Sequence, residues 1–128
     1  LDVLADLQGS DTRLRIDALT IPALLVRVTQ SNLELGIECV FDAAGPTQIQ
    51  RFYEYTRRRI GRFVTVSISG TVFTGKLSDT TKLPAGYKPD DLVNTMFEFV
   101  FERVQTKTAT ADKRGMIALP VPNRIVKS

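Results

Sequence analysis

The sequence predicts a mainly β, α+β domain: a small antiparallel β-barrel or sandwich with one amphipathic helix packed on it. Three observations carry this reading. Apolar residues recur at strict period two in several short runs, the signature of half-buried strands. The spacing turns helical only once, between Pro46 and Ile60. Near the end of the patterned region, Phe97, Phe99 and Phe101 share one strand face and need a cover.

The elements follow in order. Leu1 to Ser10 is weakly patterned and reads as an arm. Leu24, Val26 and Val28 then fall on one face, with Arg27 and Thr29 opposite. After a Gln30-Ser31-Asn32 turn signal, Leu33, Leu35, Ile37, Cys39 and Phe41 share a face, so the two runs read as a hairpin. Ala43-Ala44-Gly45-Pro46 breaks the pattern and places proline at a first helical position. Ile49, Phe52, Tyr53, Thr56 and Ile60 form the buried stripe of the helix, and Gly61 is its natural stop. Strands resume from Phe63 to Ser69 and from Val72 to Leu77. A Pro/Gly loop (Ser78 to Asp91) and the aromatic strand Thr95 to Val104 follow. Gln105 to Ser128 is polar and then punctuated by Pro120 and Pro122, which suits an extended arm. The expected organisation is a single domain over 1–128. Its core barrel covers about 12–104, with an N-terminal arm 1–10 and a C-terminal arm 105–128.

The totals exclude several classes. At 128 residues the chain can bury a core without disulfides or metals, and its one cysteine forbids an internal disulfide. No apolar run nears the roughly 20 residues that span a bilayer, and the longest, Ile21 to Val28, is broken by Pro22 and Arg27. No membrane partner is therefore expected, and nothing at the N-terminus reads as a signal peptide. The net charge of +3 includes no like-charge block longer than Arg57-Arg58-Arg59. A dedicated nucleic-acid domain usually carries a longer basic stripe.

Catalytic chemistry finds little footing. The sequence has no histidine, the commonest general base and metal ligand. Cys39 lies on an apolar strand face and reads as a packed core thiol. GTVFTGK lacks the loop spacing and the following Ser/Thr of a phosphate-binding loop. Glu34 with Glu38, and Glu98 with Glu102, alternate with apolar residues as a solvated outer face does. Asp90 and Asp91 stand together in a loop without further metal ligands. No enzyme activity, metal or cofactor is expected.

The segment RFYEYTRRRIGRF needs separate weighing, because five arginines and four aromatic rings could grip nucleic acid. However, Phe52 and Tyr53 belong to the buried stripe, whereas a single-strand binder needs exposed rings along a basic groove. Arg57, Arg58 and Arg59 sit in the last helical turn, where the dipole favours cations by about 0.3–1 kcal/mol each. Glu54 precedes Arg58 by four residues, the favourable order for an ion pair. The cluster reads as a helix end available for subunit contact. A small basic β-barrel binding nucleic acid through Arg57–Arg59 is the alternative.

The stretch LELGIECVFDAAGPTQIQRFYEYTRRRIGRFVTVSISGTVFTGKLSD, closed by MFEFVFERV, resembles the split β-barrel domain of tailed-phage distal tail proteins. Tail-tube and related tail-hub subunits are similar in plan. The likeness runs from about Leu33 to Val104 and includes a Tyr/Phe-x-Gly return, here Phe73-Thr74-Gly75. It implies a structural protein of the virion tail, made in the host cytoplasm and acting without catalytic residues. Such a protein would form a homo-oligomeric six-fold ring that contacts neighbouring tail or baseplate proteins. Nucleic acid would be only passing cargo in a channel. The second, carbohydrate-binding-like domain of longer distal tail proteins has no counterpart here, so tube, distal tail and baseplate-hub adaptor roles stay open. Candidate interface residues are Arg57, Arg58, Arg59 and Arg62 at the helix end and Lys82, Tyr87, Lys88, Asp90 and Asp91 in the loop. Arg114 and Arg124 complete them in the C-terminal arm.

Overall fold

Period-two alternation becomes six antiparallel strands: β1 (Asp11–Ile16), β2 (Leu19–Ser31), β3 (Glu34–Val40), β4 (Phe63–Ile68), β5 (Thr71–Thr80) and β6 (Phe97–Thr106). The structure, a computed structural model, describes residues 2–106. Arg114, Arg124 and nearly all of the expected C-terminal arm lie outside them. The strands bond in the order β1-β2-β3-β6-β5-β4 and close into a barrel. Two three-stranded meanders thus meet at two seams, β3 with β6 and β1 with β4.

Inward faces fill the barrel. Leu14, Ile16, Ile21, Leu25, Leu35, Ile37, Val66, Ile68, Phe73, Leu77, Phe97, Phe99 and Phe101 are all buried. Each such aliphatic or aromatic side chain contributes about 1.5–3 kcal/mol through the water it leaves. The helix α2 (Pro46–Arg58) lies against one end of the barrel, with Ile49, Phe52, Tyr53 and Thr56 buried. Its Phe52 ring meets Phe41 at 5.6 Å and Phe99 at 6.1 Å, and Tyr53 meets Phe97 at 5.7 Å. The expected cover for the aromatic strand is therefore the helix stripe for Phe97 and Phe99. Phe101 lies deeper and packs edge-on against Phe73 at 5.5 Å.

Several sequence expectations need correction. The N-terminal segment is not simply an arm: it forms a short helix, α1 (Asp2–Ala5), whose Leu4 is fully buried. β1 has no counterpart among the elements expected from the sequence, although DTRLRI alternates as a strand should. On β2 the inward residues are Ile21, Ala23 and Leu25, not Leu24 and Val26. A β-bulge between Leu25 and Arg27 inserts one residue and reverses the phase, leaving Val26 exposed while Val28 packs on the core as expected. Leu33 sits in the hairpin turn and is 63% exposed. The helix ends at Arg58, before Gly61; that glycine, at φ +88, serves the turn that follows.

β5 carries Gly75 between inward Phe73 and Leu77. A Cβ there would lie 3.2 Å from Phe101 Cβ and 3.3 Å from Val104 Cγ2. At Gly36 a Cβ would meet only the exposed Thr29, at 2.7 Å from its hydroxyl, which can rotate away. Gly75→Ala should therefore destabilise the barrel by about 1–3 kcal/mol in urea denaturation, and Gly36→Ala by clearly less. Equal losses would contradict this account of the packing.

Candidate interaction site

Proline pre-sets the first turn of α2 after Gly45, and the apolar stripe seats it on the barrel. Where it ends, its arginines part company. Arg57 and Arg58 are exposed and line a groove of about 410 Å³ between α2 and the loop Leu83–Tyr87, with Tyr53 and Glu54. Arg59 turns back, its Nε 3.4 Å from Asp17 Oδ2. Arg62 is exposed beyond the helix, in a stretch stitched to β5 by Gly61 N–H to Leu77 O at 2.7 Å and Leu77 N–H to Arg62 O at 3.0 Å.

The loop is built rather than loose. Ser78–Thr80 belong to β5, and Pro89–Leu92 form a 3₁₀ turn whose Leu92 is fully buried. Leu83 N–H donates to Tyr53 Oη at 3.3 Å, and the Tyr87 ring stands edge-on to Tyr53 at 6.0 Å. Tyr87 Oη donates to Glu54 at 3.2 Å, and burial pushes the Tyr87 phenol above its ordinary pKa. Glu54 is thereby turned toward Tyr87, and the expected Glu54–Arg58 ion pair does not form. Asp91 accepts the Lys88 N–H at 3.2 Å, so it caps the 3₁₀ turn, while Lys82, Lys88 and Asp90 are exposed. Of the candidate residues, the structure gathers Arg57, Arg58 and Tyr87 around one groove and leaves the other described ones dispersed.

Asp17 is the residue the sequence did not single out. It occupies the β1–β2 turn at φ +54, a conformation that aspartate tolerates better than most residues. Its carboxylate accepts the Tyr55 hydroxyl at 2.6 Å and the Thr65 N–H at 3.0 Å, and its own N–H donates to Thr65 O at 2.8 Å. The β1–β4 seam has only three registered pairs, Leu14–Ile68, Arg15–Ser67 and Ile16–Val66. Asp17 extends that seam and ties it to α2 through Tyr55 and Arg59. The signal available in the sequence was an aspartate between two apolar-alternating runs, a turn former with a local hydrogen-bonding carboxylate.

Among the described residues no group of three or more His, Cys, Asp or Glu could hold a metal, and no helix is long and apolar enough to cross a membrane. Cys39 is buried, and its burial pushes the thiol up to about 12. In the native protein Cys39 should be silent to a thiol reagent near neutral pH and react on unfolding; rapid native labelling would contradict its placement.

The hydrogen bond to Asp17 raises the Tyr55 phenol above its ordinary value of 10.0. The stabilisation linked to it is complete below about pH 10 and fades as pH climbs through the raised native value. Asp17→Ala should lower the Tyr55 midpoint in an NMR titration and cost about 2 kcal/mol of stability. It should also speed amide exchange at Thr65. Unchanged Thr65 protection would argue against the seam role. Comparison with protein-family models, with curated proteins and with solved structures finds no match.

Proposed function

We propose that this chain is a non-enzymatic structural subunit that assembles with its own kind into a ring, in a phage tail or a related contractile or injection device. The roles that suit it are tube, distal tail or baseplate-hub adaptor, with neighbouring tail or baseplate proteins above and below. The observation that carries this reading is the filled barrel. Phe41, Phe73, Phe97, Phe99 and Phe101 occupy the interior, so the surface chemistry lies on the outer walls and at the helix end. Exposed, charged walls around a packed core suit contact with neighbouring proteins. The resemblance over Leu33 to Val104 supplies the ring and the setting.

Nucleic-acid binding is the competing reading, and burial weighs against it. Phe52 and Tyr53 pack into the core and cannot stack on bases, while Tyr55 and Tyr87, the other rings near Arg57 and Arg58, are half-buried and hydrogen-bonded to Asp17 and Glu54. Sedimentation velocity over a wide concentration range separates the two. A ring subunit should reach a mass several-fold above 14.2 kDa, whether or not DNA is present. A chain that stays monomeric, and binds DNA with a salt-dependent affinity lost in Arg57→Gln/Arg58→Gln, would overturn the proposal.

A further inference from the structure

The strand order separates charge across the barrel. In a closed ring of six strands β1 stands opposite β6, and β4 opposite β3. β3 and β6 turn Glu34, Glu38, Glu98 and Glu102 outward, between the buried residues of each strand. Register sets Glu38 directly beside Glu98, and Glu34 shares a shallow depression with Glu102, next to exposed Leu33. Like charges side by side on neighbouring strands cost stability. Arg27 offsets part of this by pairing with Glu38 at 2.8 Å, Lys76 lies across from Glu102, and Arg103 borders the depression. Glu34 and Glu98 have no ion-pair partner among the described residues.

The far wall has the opposite character. β1 presents Arg13 and Arg15 outward, with Asp11 at its start. Their cross-strand neighbours are Pro22 and Thr20 on β2 and, for Arg15, Ser67 on β4, none of them charged. Arg15 Nε donates to the Asp17 carbonyl at 2.7 Å, yet neither arginine reaches a carboxylate among the described residues. Beside them lies a groove of about 420 Å³ lined by Arg15, Asp17, Thr65, Ser67 and Val72.

We propose that these two walls are the two halves of one head-to-tail interface between copies of this chain, the β1 arginines of one copy meeting the β3–β6 glutamates of the next. The inference rests on the ring-assembly reading and names its contact surfaces. Complementary patches on opposite sides cannot meet within one subunit. Each copy therefore offers one patch and accepts the other, the arrangement that propagates until a ring closes. Exposed ion pairs are individually weak. Their role is to set the orientation and choice of partner, while Leu33 and the groove beside Arg15 contribute apolar contact.

Charge reversal tests this by sedimentation velocity at low salt, with circular dichroism confirming that each variant is folded. Arg13→Glu/Arg15→Glu and Glu98→Lys/Glu102→Lys should each weaken association about tenfold or more, because like charges then face each other. Combining all four substitutions in one chain should restore association, and so should mixing the two double variants in equal amounts. If the wild type assembles but neither reversal weakens it, or the fourfold variant stays dissociated, the pairing of these walls is wrong and ring assembly stands. A wild-type chain that is monomeric at every concentration removes the ring reading itself.

Discussion

The seating of α2 on Phe41, Phe97 and Phe99 is the contact on which the rest of the molecule depends. β3 and β4 lie on opposite sides of the barrel, and the chain passes between them across one end. That passage needs an element that shields the open end of a phenylalanine-filled interior. Phe52 and Tyr53 supply the shield: Phe52 meets Phe41 and Phe99, while Tyr53 meets Phe97 on one side and Tyr87 on the other. The edge-to-face pairs among these, Phe52 with Phe41 and Phe99 and Tyr53 with Tyr87, add about 0.5–1.5 kcal/mol each beyond the area they bury. Because Tyr53 also accepts the Leu83 N–H, the helix organises the loop that leads to β6.

Closure depends on a second, smaller device. Three registered pairs make a short seam between β1 and β4, and Asp17 lengthens it at the end where α2 leaves the barrel. At the other end of the same seam the Thr12 and Ser69 hydroxyls bond to each other. Arg59 shows how a charge that looks like binding surface in the sequence becomes part of the framework. It lies against Asp17, while its neighbours Arg57 and Arg58 stay exposed. One run of three arginines therefore has two distinct physical roles.

Much of this was legible in the residues. Period two marked β3, β4 and β6, a single helical stripe marked α2, and the buried partner of the aromatic strand followed from the need to cover Phe97 and Phe99. What escaped depended on contacts between distant segments. The bulge at Val26 leaves no trace in local spacing and becomes visible only when β2 is laid against β3. Glu34, Glu38, Glu98 and Glu102 read correctly as outer faces, but only the β3–β6 pairing gathers them onto one wall. Leu4 gave no periodic signal because one buried residue in a four-residue helix has no period. Glu54 followed the helix rule for pairing with Arg58, and a tyrosine 33 positions away took it instead.

The central claim is that copies of this chain meet head to tail through opposite walls, and cysteine cross-linking tests it most directly. With the buried Cys39 replaced by serine, Arg13→Cys and Glu98→Cys are introduced singly and together, and the proteins are oxidised under native conditions. The account predicts a ladder of covalent multimers for the chain carrying both cysteines and only monomer for either alone, since each wall meets the other and never itself. Dimers from a single variant would mean that a wall pairs with its own copy. Monomer alone from the double variant would mean that these walls do not meet.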